Sequence, residues 1–172
     1  MTVKSVNPEK PVKKAKNTRN PTPFSDVVRL AIPNKGRIAE PIMELVEKSG
    51  LHLAETGERR LITRTLDPHV EILFARPIDI PEYVANGAAD LGITGHDMVI
   101  ERESDVEELL DLQSGRGKLV LAVHEDSTIT SVKQLAGKKI ATEFPVITRT
   151  YFEQQKIKVN VVLVGGACEA TP

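Results

Sequence analysis

A chain of 172 residues with 40% hydrophobic content has room for one ordinary domain or two small lobes. With 3% aromatics and no tryptophan, it offers no evident stacking platform for single-stranded nucleic acid. Its single cysteine, Cys168, rules out an internal disulfide and a cysteine-based metal cluster, and a reducing compartment is the natural reading. No run approaches the roughly 18 apolar residues of a membrane span. The net charge of −1 conceals an asymmetry: residues 1–25 carry six basic residues against Glu9 (+5), leaving 17 basic and 23 acidic residues (−6) in the rest.

The basic head also holds Pro8, Pro11, Pro21 and Pro23 and no apolar core, so residues 1–26 read as a disordered, solvated leader. It lacks the apolar stretch of a secretion signal, and Lys rather than Arg dominates, which weakens a transit-peptide reading. Nonspecific nucleic-acid contact by this tail is the competing view. From residue 27 onward strand and helix patterns alternate. Residues 28–32 form a predicted buried strand, followed by the turn Pro33-Asn34-Lys35-Gly36. A helix over 37–49 carries Ile38, Ile42, Leu45 and Val46 on one face, with Gly50 as its stop. A short strand at 61–65 and the turn Asp67-Pro68 lead into a strand at 70–75.

The densest stretch is 76–95, RPIDIPEYVANGAADLGITG. Arg76 stands at the C-terminal end of the preceding strand. Pro77 and Pro81 suit the first turn of a helix, where a missing N–H costs little, and Gly87 closes it. Residues 90–94 read as a second buried strand ending at Gly95. Beyond it come a short helix, an acidic segment with Leu109, Leu110 and Leu112, and a strand at 118–124. A short helix at 132–136, a strand at 139–142, a helix at 145–155 with Ile147, Tyr151 and Phe152 as core contacts, and a strand at 159–164 complete the series. This alternation predicts a mostly parallel α/β fold, in two lobes with a hinge near 96–116.

In open α/β sheets ligands bind past the carboxyl ends of the strands, which puts Arg76, Asp79, Gly92 and Gly95 where a ligand would sit. The turn Pro33-Asn34-Lys35-Gly36-Arg37 adds a glycine whose neighbouring N–H groups can approach an anion, with Lys35 and Arg37 supplying charge. Taken alone it reads equally as a turn glycine between solvated bases. Arg59 and Arg60 ahead of a strand can clamp a polyphosphate or merely solvate a surface. Asp79 and Asp90 are acceptors or partners for Arg76, or a helix cap and a structural ion pair. Thr148 and Arg149 face either a cleft or solvent. Gly165 and Gly166 follow a strand, with Glu169 beyond them. His52, His69, His96 and His124 have no metal-ligand spacing and read as surface or packing residues. No nucleophile with a partnering base is apparent.

In order, IPNKGR (32–37), RRLI (59–62), RPIDIP (76–81), AADLGITGHD (88–97), ELLDL (108–112), GKKIATEFPVITRTYFE (137–153) and GGACEATP (165–172) form a specific series. Over about residues 27–172 it resembles ATP phosphoribosyltransferase, the first enzyme of histidine biosynthesis. The resemblance implies a type II periplasmic-binding-protein-like fold of two α/β lobes, the first over 27–95 and the second over 96–172, C-terminally incomplete. It implies transfer of phosphoribose from PRPP to N1 of ATP, release of pyrophosphate, a Mg²⁺ requirement and a cytoplasmic location. Partners would be ATP and PRPP, with no nucleic acid and no membrane. Assembly would be a homo-oligomer (dimer or hexamer) or a complex with a regulatory subunit.

By the same resemblance Arg37 and Arg59 are catalytic, stabilising the departing pyrophosphate. Lys35, Gly36, Arg60, Arg76, Asp90, Gly92, Gly95 and Glu169 bind substrate, and no residue is a metal ligand. Three departures stand out. The family's FG-x-C-x-L is here Gly115-Arg116-Gly117-Lys118-Leu119, and Cys168 stands where Val or Met is commoner. Glu169 matches the start of a signature whose Asp-x-x-x-[ST]-Gly-x-Thr loop cradles the PRPP phosphate and does not follow here, so weak PRPP binding is expected, and whether this chain is an active enzyme or an inactive fragment is left open. The alternative is a non-catalytic solute- or nucleotide-binding module of the same fold.

Overall fold

Two adjacent parallel strands, each presenting apolar side chains to both of its faces, organise the larger sheet. The computed structural model describes residues 27–54 and 61–165. The leader at 1–26, Arg59, Arg60, Gly166, Cys168 and Glu169 lie outside the described residues. Strand β1 (Val28–Pro33) pairs in parallel with β3 (Val70–Ala75), in register from Val28↔Val70 to Pro33↔Ala75. β2 (Ile62–Arg64) lies antiparallel to β3, and β4 (Leu91–Gly92) lies parallel to β1, giving the order β2-β3-β1-β4.

Because side chains alternate across a strand, the register sorts them into two layers. Leu30, Ile32, Ile72 and Phe74 meet helix α1 (Ala39–Lys48) through its buried Ile42 and Val46. Ala31, Leu73 and Ala75 meet helix α2 (Ile80–Ala85) through buried Ile80, with Tyr83 and Val84 alongside. Helices therefore cover both faces of the sheet, as near-continuous apolar strands require. The predicted α1 face needs one change: Leu45 is exposed, and Met43 packs inward instead. On the outer side of α1, hydrogen bonds from Lys48 and His52 hold the Glu44 and Glu47 carboxyls, respectively, below the usual range.

The amino edge of the sheet is held by Arg29. Its Nε pairs with Glu71 Oε1 at 2.6 Å, its Nη1 donates to Ala88 O at 2.9 Å, and its backbone N–H donates to Asp90 Oδ2 at 2.8 Å. One side chain thus joins β1 to β3 and to the segment entering β4. Arg29→Met should lower the unfolding free energy by about 2 kcal/mol, because the half-buried Glu71 loses its charged donor. Urea denaturation measures this, and a loss below about 0.5 kcal/mol would show that the edge holds without the arginine.

Two predicted strands are corrected. The expected buried strand at 90–94 is the two-residue β4, with Leu91 exposed. It is an edge strand among the described residues, so nothing covers its outer side, and the chain leaves the ladder where Thr94 turns to Pro77. Residues 118–124 are not in a strand. Leu119, Val120, Leu121 and Val123 are 44–72% exposed. A continuous apolar run reports the wish to be covered on both faces. A strand also needs a ladder partner, and none lies beside this run among the described residues.

A second sheet pairs β5 (Lys139–Thr142) in parallel with β6 (Asn160–Leu163), connected by helix α4 (Pro145–Gln154). Phe152 on α4 is 1% exposed and sets its ring edge-on to Tyr151 at 5.3 Å. Burying that phenyl contributes about 2–3 kcal/mol. Tyr151, its neighbour in sequence, is exposed rather than core, since consecutive helical residues point in different directions. Helix α3 (His96–Arg102) lies between the two sheets in sequence. Its Glu101 carboxylate accepts hydrogen bonds from the backbone N–H groups of Val146 (3.0 Å) and Ile147 (3.1 Å). The first turn of α4 has no side-chain cap of its own, so α3 supplies the anion that a helix N-terminus attracts.

Candidate functional site

Three parallel strands end together at the carboxyl edge of the larger sheet. β1 stops at Pro33, β3 at Ala75 and β4 at Gly92, and the ladder closes with Asn34 N–H to Ala75 O (2.8 Å) and Ile93 N–H to Ala31 O (2.9 Å). Neighbouring strands lie about 4.8 Å apart. The turn after β1 is therefore flanked by the turn after β3, about one strand spacing away, and by the segment after β4, which leaves the ladder two residues earlier, opposite Ala31.

In the central turn Gly36 takes φ +93°, a left-handed value that favours glycine, and its carbonyl accepts from Ala39 N–H at 3.1 Å to start α1. Lys35 and Arg37 on either side are exposed and, among the described residues, have no carboxylate partner. Unpaired cations beside a helix start suit an anionic ligand. Gly115 comes close to Ile38 at the start of α1: a β-carbon there would lie 3.0 Å from Ile38 Cγ2.

Arg76 follows β3. Its Nε pairs with Asp79 Oδ2 at 2.6 Å, within the helical turn Pro77–Asp79, while the side chain stays 74% exposed. Asp79 is shared: its Oδ1 accepts from Arg102 Nη2 at 2.9 Å, and Arg102 Nε donates to Ile78 O at 2.9 Å. Thr94, after β4, donates through its hydroxyl to Pro77 O at 2.8 Å and ties the third turn to the second. Gly95 is the N-cap of α3, where a β-carbon would collide with the Asp97 carboxylate.

The structure brings Lys35, Gly36, Arg37, Arg76 and Gly95 to one edge, and separates two expected members from them. Asp90 precedes β4 and pairs with Arg29, its N–H donating to Arg29 O at 2.9 Å. Arg29 is four residues before Pro33, so Asp90 sits about 13 Å down the strand, at the opposite edge of the sheet. It is a partner of β1, not of Arg76. Gly92 faces α2: a β-carbon there would lie 2.5 Å from Ile80 Cγ2 and 3.0 Å from Val84 Cγ2. Its lack of a side chain lets α2 pack closely there.

Arg59, Arg60 and Glu169 lie outside the described residues. Thr148 turns toward the end of β5, with its hydroxyl 3.2 Å from Thr142 Oγ1, while Arg149 is exposed on α4. His52, His96 and His124 pair singly with Glu47, Glu108 and Asp126. No three His, Cys, Asp or Glu converge as a cation site among the described residues. Sequence reasoning missed Arg102, whose bonds to Ile78 and Asp79 span 24 and 23 residues. No local pattern signals such a pairing.

A mostly parallel sheet with helices on both faces, and cations gathered past its strand ends, defines an α/β protein whose carboxyl edge is equipped for anions. The family model described as ATP phosphoribosyltransferase (HisG) matches residues 76–172. The chain belongs to the ATP phosphoribosyltransferase family. It is 55% identical over 147 residues to the ATP phosphoribosyltransferase of Methanosarcina mazei and 58% identical over 146 residues to that of Methanocella arvoryzae. Each match covers 85% of this chain and 51% of the relative, so the chain spans about half the length of the curated relatives it matches. Among solved structures it is similar to a chain of the ATP phosphoribosyl transferase (HisG:HisZ) complex from Thermotoga maritima. There the TM-score is 0.67 at 28% identity, over 84% of this chain and 67% of that one.

Proposed function

We propose that this chain serves transfer of phosphoribose from PRPP to N1 of ATP, with release of pyrophosphate, in L-histidine biosynthesis. The observation that carries the reading is the basic turn Lys35-Gly36-Arg37, without a carboxylate partner among the described residues, beside Arg76 at the carboxyl edge of a chain of this family. Both substrates are polyanions, and a chain with net charge −6 beyond residue 25 needs local cations to receive them.

In the reaction the bond from ribose C1 to the pyrophosphate oxygen breaks, a bond from N1 of ATP to C1 forms, and negative charge develops on the leaving oxygens. Arg37, with Arg59, would meet that charge as cationic donors, an electrostatic contribution that is large where water is excluded. Lys35, the Gly36 turn, Arg60, Arg76, Gly95 and Glu169 would hold the substrates, so positioning replaces any covalent intermediate. Mg²⁺ would neutralise phosphate charge when bound. It commonly arrives with the phosphates and takes few protein carboxylates, which suits a described surface without a carboxylate cluster.

The finer architecture we propose is the two-lobed, type II periplasmic-binding-protein-like arrangement, with lobes over 27–95 and from 96 onward. We also propose assembly as a homo-oligomer or with a regulatory subunit; the similarity to a chain of a HisG:HisZ complex supports a partner of a second kind. A cytoplasmic location accords with the single cysteine; among the described residues no helix is long and apolar enough to cross a membrane.

Mixing ATP, PRPP and Mg²⁺ with the chain extended by the remaining C-terminal half of the Methanosarcina mazei relative should give the absorbance of phosphoribosyl-ATP, with that relative as reference and with little or no product from the unextended chain. Arg37→Ala should slow product formation about a hundredfold without changing the melting temperature, since its side chain is exposed and unpartnered among the described residues. Product from the relative but none from an extended chain that still binds ATP would favour a nucleotide-binding module. Neither product nor nucleotide binding would sink the reading.

A further inference from the structure

We infer that Arg102 positions Arg76 for anion recognition by occupying one oxygen of Asp79. The inference rests on the anion-binding reading of the carboxyl edge. Asp79, with its side chain only 16% exposed, has two oxygens and two arginines: Oδ2 takes Arg76 Nε at 2.6 Å and Oδ1 takes Arg102 Nη2 at 2.9 Å. A carboxylate and a guanidinium left to themselves close fork to fork, with two parallel N–H···O bonds. Here Arg102 already donates to Oδ1, so a second bond from Arg76 would have to share that oxygen with another guanidinium.

Arg102 is fixed independently of Arg76. Its Nε donates to Ile78 O at 2.9 Å and its Nη1 stands 3.9 Å from Glu82 Oε2. Arg76 is therefore gripped by its inner nitrogen alone. Its two outer nitrogens have no partner among the described residues, and its side chain is 74% exposed just past β3. Those outer N–H groups form the fork that binds a phosphate oxyanion bidentately. The Lys35–Arg37 turn on the adjacent strand adds charge beside it.

Without Arg102, Oδ1 of Asp79 becomes free to close on an outer nitrogen of Arg76. The fork is then consumed by an internal carboxylate, and the positive charge at the strand end is cancelled. Arg102 is thus a positioning residue that keeps Asp79 from capturing the arginine it anchors. A purely structural role for Arg102 makes a different prediction: any further loss from the cluster would only weaken binding more.

The test is calorimetric titration of the full chain with ATP and, separately, with inorganic pyrophosphate. Arg102→Gln should weaken both about tenfold, the worth of one charged hydrogen-bonded contact. Adding Asp79→Asn to that variant should recover part of the loss, because an amide cannot form the charged fork. Arg102→Lys keeps a cation on Oδ1 and should stay within about threefold of the wild type, which gives a comparison if Arg102→Gln does not fold. Wild-type binding with undiminished binding in Arg102→Gln overturns the inference alone. A double variant weaker than Arg102→Gln also overturns it. Absence of wild-type binding to either probe removes the anion-binding reading and the inference with it.

Discussion

Replacing Gly92 with alanine should lower the unfolding free energy by about 2 kcal/mol, although strand residues ordinarily gain from that change. The backbone at Gly92 has no left-handed φ, so alanine is allowed there, and the stiffer unfolded chain would return about 0.4–1 kcal/mol. The obstacle is contact: the new methyl would stand 2.5 Å from Cγ2 of the buried, branched Ile80 and 3.0 Å from Val84. Neither neighbour is a flexible chain end, so α2 must lift from the sheet, and such overpacking costs about 1–3 kcal/mol. Denaturant unfolding at constant m-value decides it by sign. A stabilised Gly92→Ala would show that α2 does not sit this closely on β4.

Removing the carboxylate of Glu101 should cost about 2–3 kcal/mol, because two half-buried N–H groups of α4 lose a charged acceptor together. Glu101→Gln keeps one neutral oxygen and should cost about half as much. Amide hydrogen exchange reads the bond itself: the amides of Val146 and Ile147 should exchange faster in Glu101→Ala than in the wild type, while those of β1 and β3 hold their protection. Unchanged exchange at both amides would mean that the α4 N-terminus is held by something else.

Much of the larger sheet was legible because its signals are local. The apolar runs of β1 and β3, the prolines at 77 and 81, and the glycine after α2 each follow from the conformation of a few neighbouring residues. The helix at α4 was found with its buried Phe152 for the same reason. The run at 118–124 misled, since hydrophobicity states a demand for cover without naming the strand that meets it. Asp90 misled in another way. Its carboxylate answers a backbone N–H 61 residues earlier in sequence, and a strand's sequence does not say at which edge of the sheet its first residue finds a partner. The packing of α2 against Gly92 was not legible, because a missing side chain does not say which neighbour approaches it. That Lys35, Arg37 and Arg76 follow strand ends was legible because strand ends are predictable, whereas the Asp79–Arg102 bond depends on how α3 packs.

Helix α3 holds its two neighbours by consecutive residues. Glu101 reaches the amides of α4, and Arg102 reaches the turn that carries Arg76. An α-helix rotates about 100° per residue, so these side chains leave the axis in different directions, and each direction is already taken. The helix behaves as a bolt with a keyed head. Inserting or deleting one residue after Gly95 would swing both side chains off their targets in a single step. Its length, more than its composition, is what this part of the chain is least free to vary.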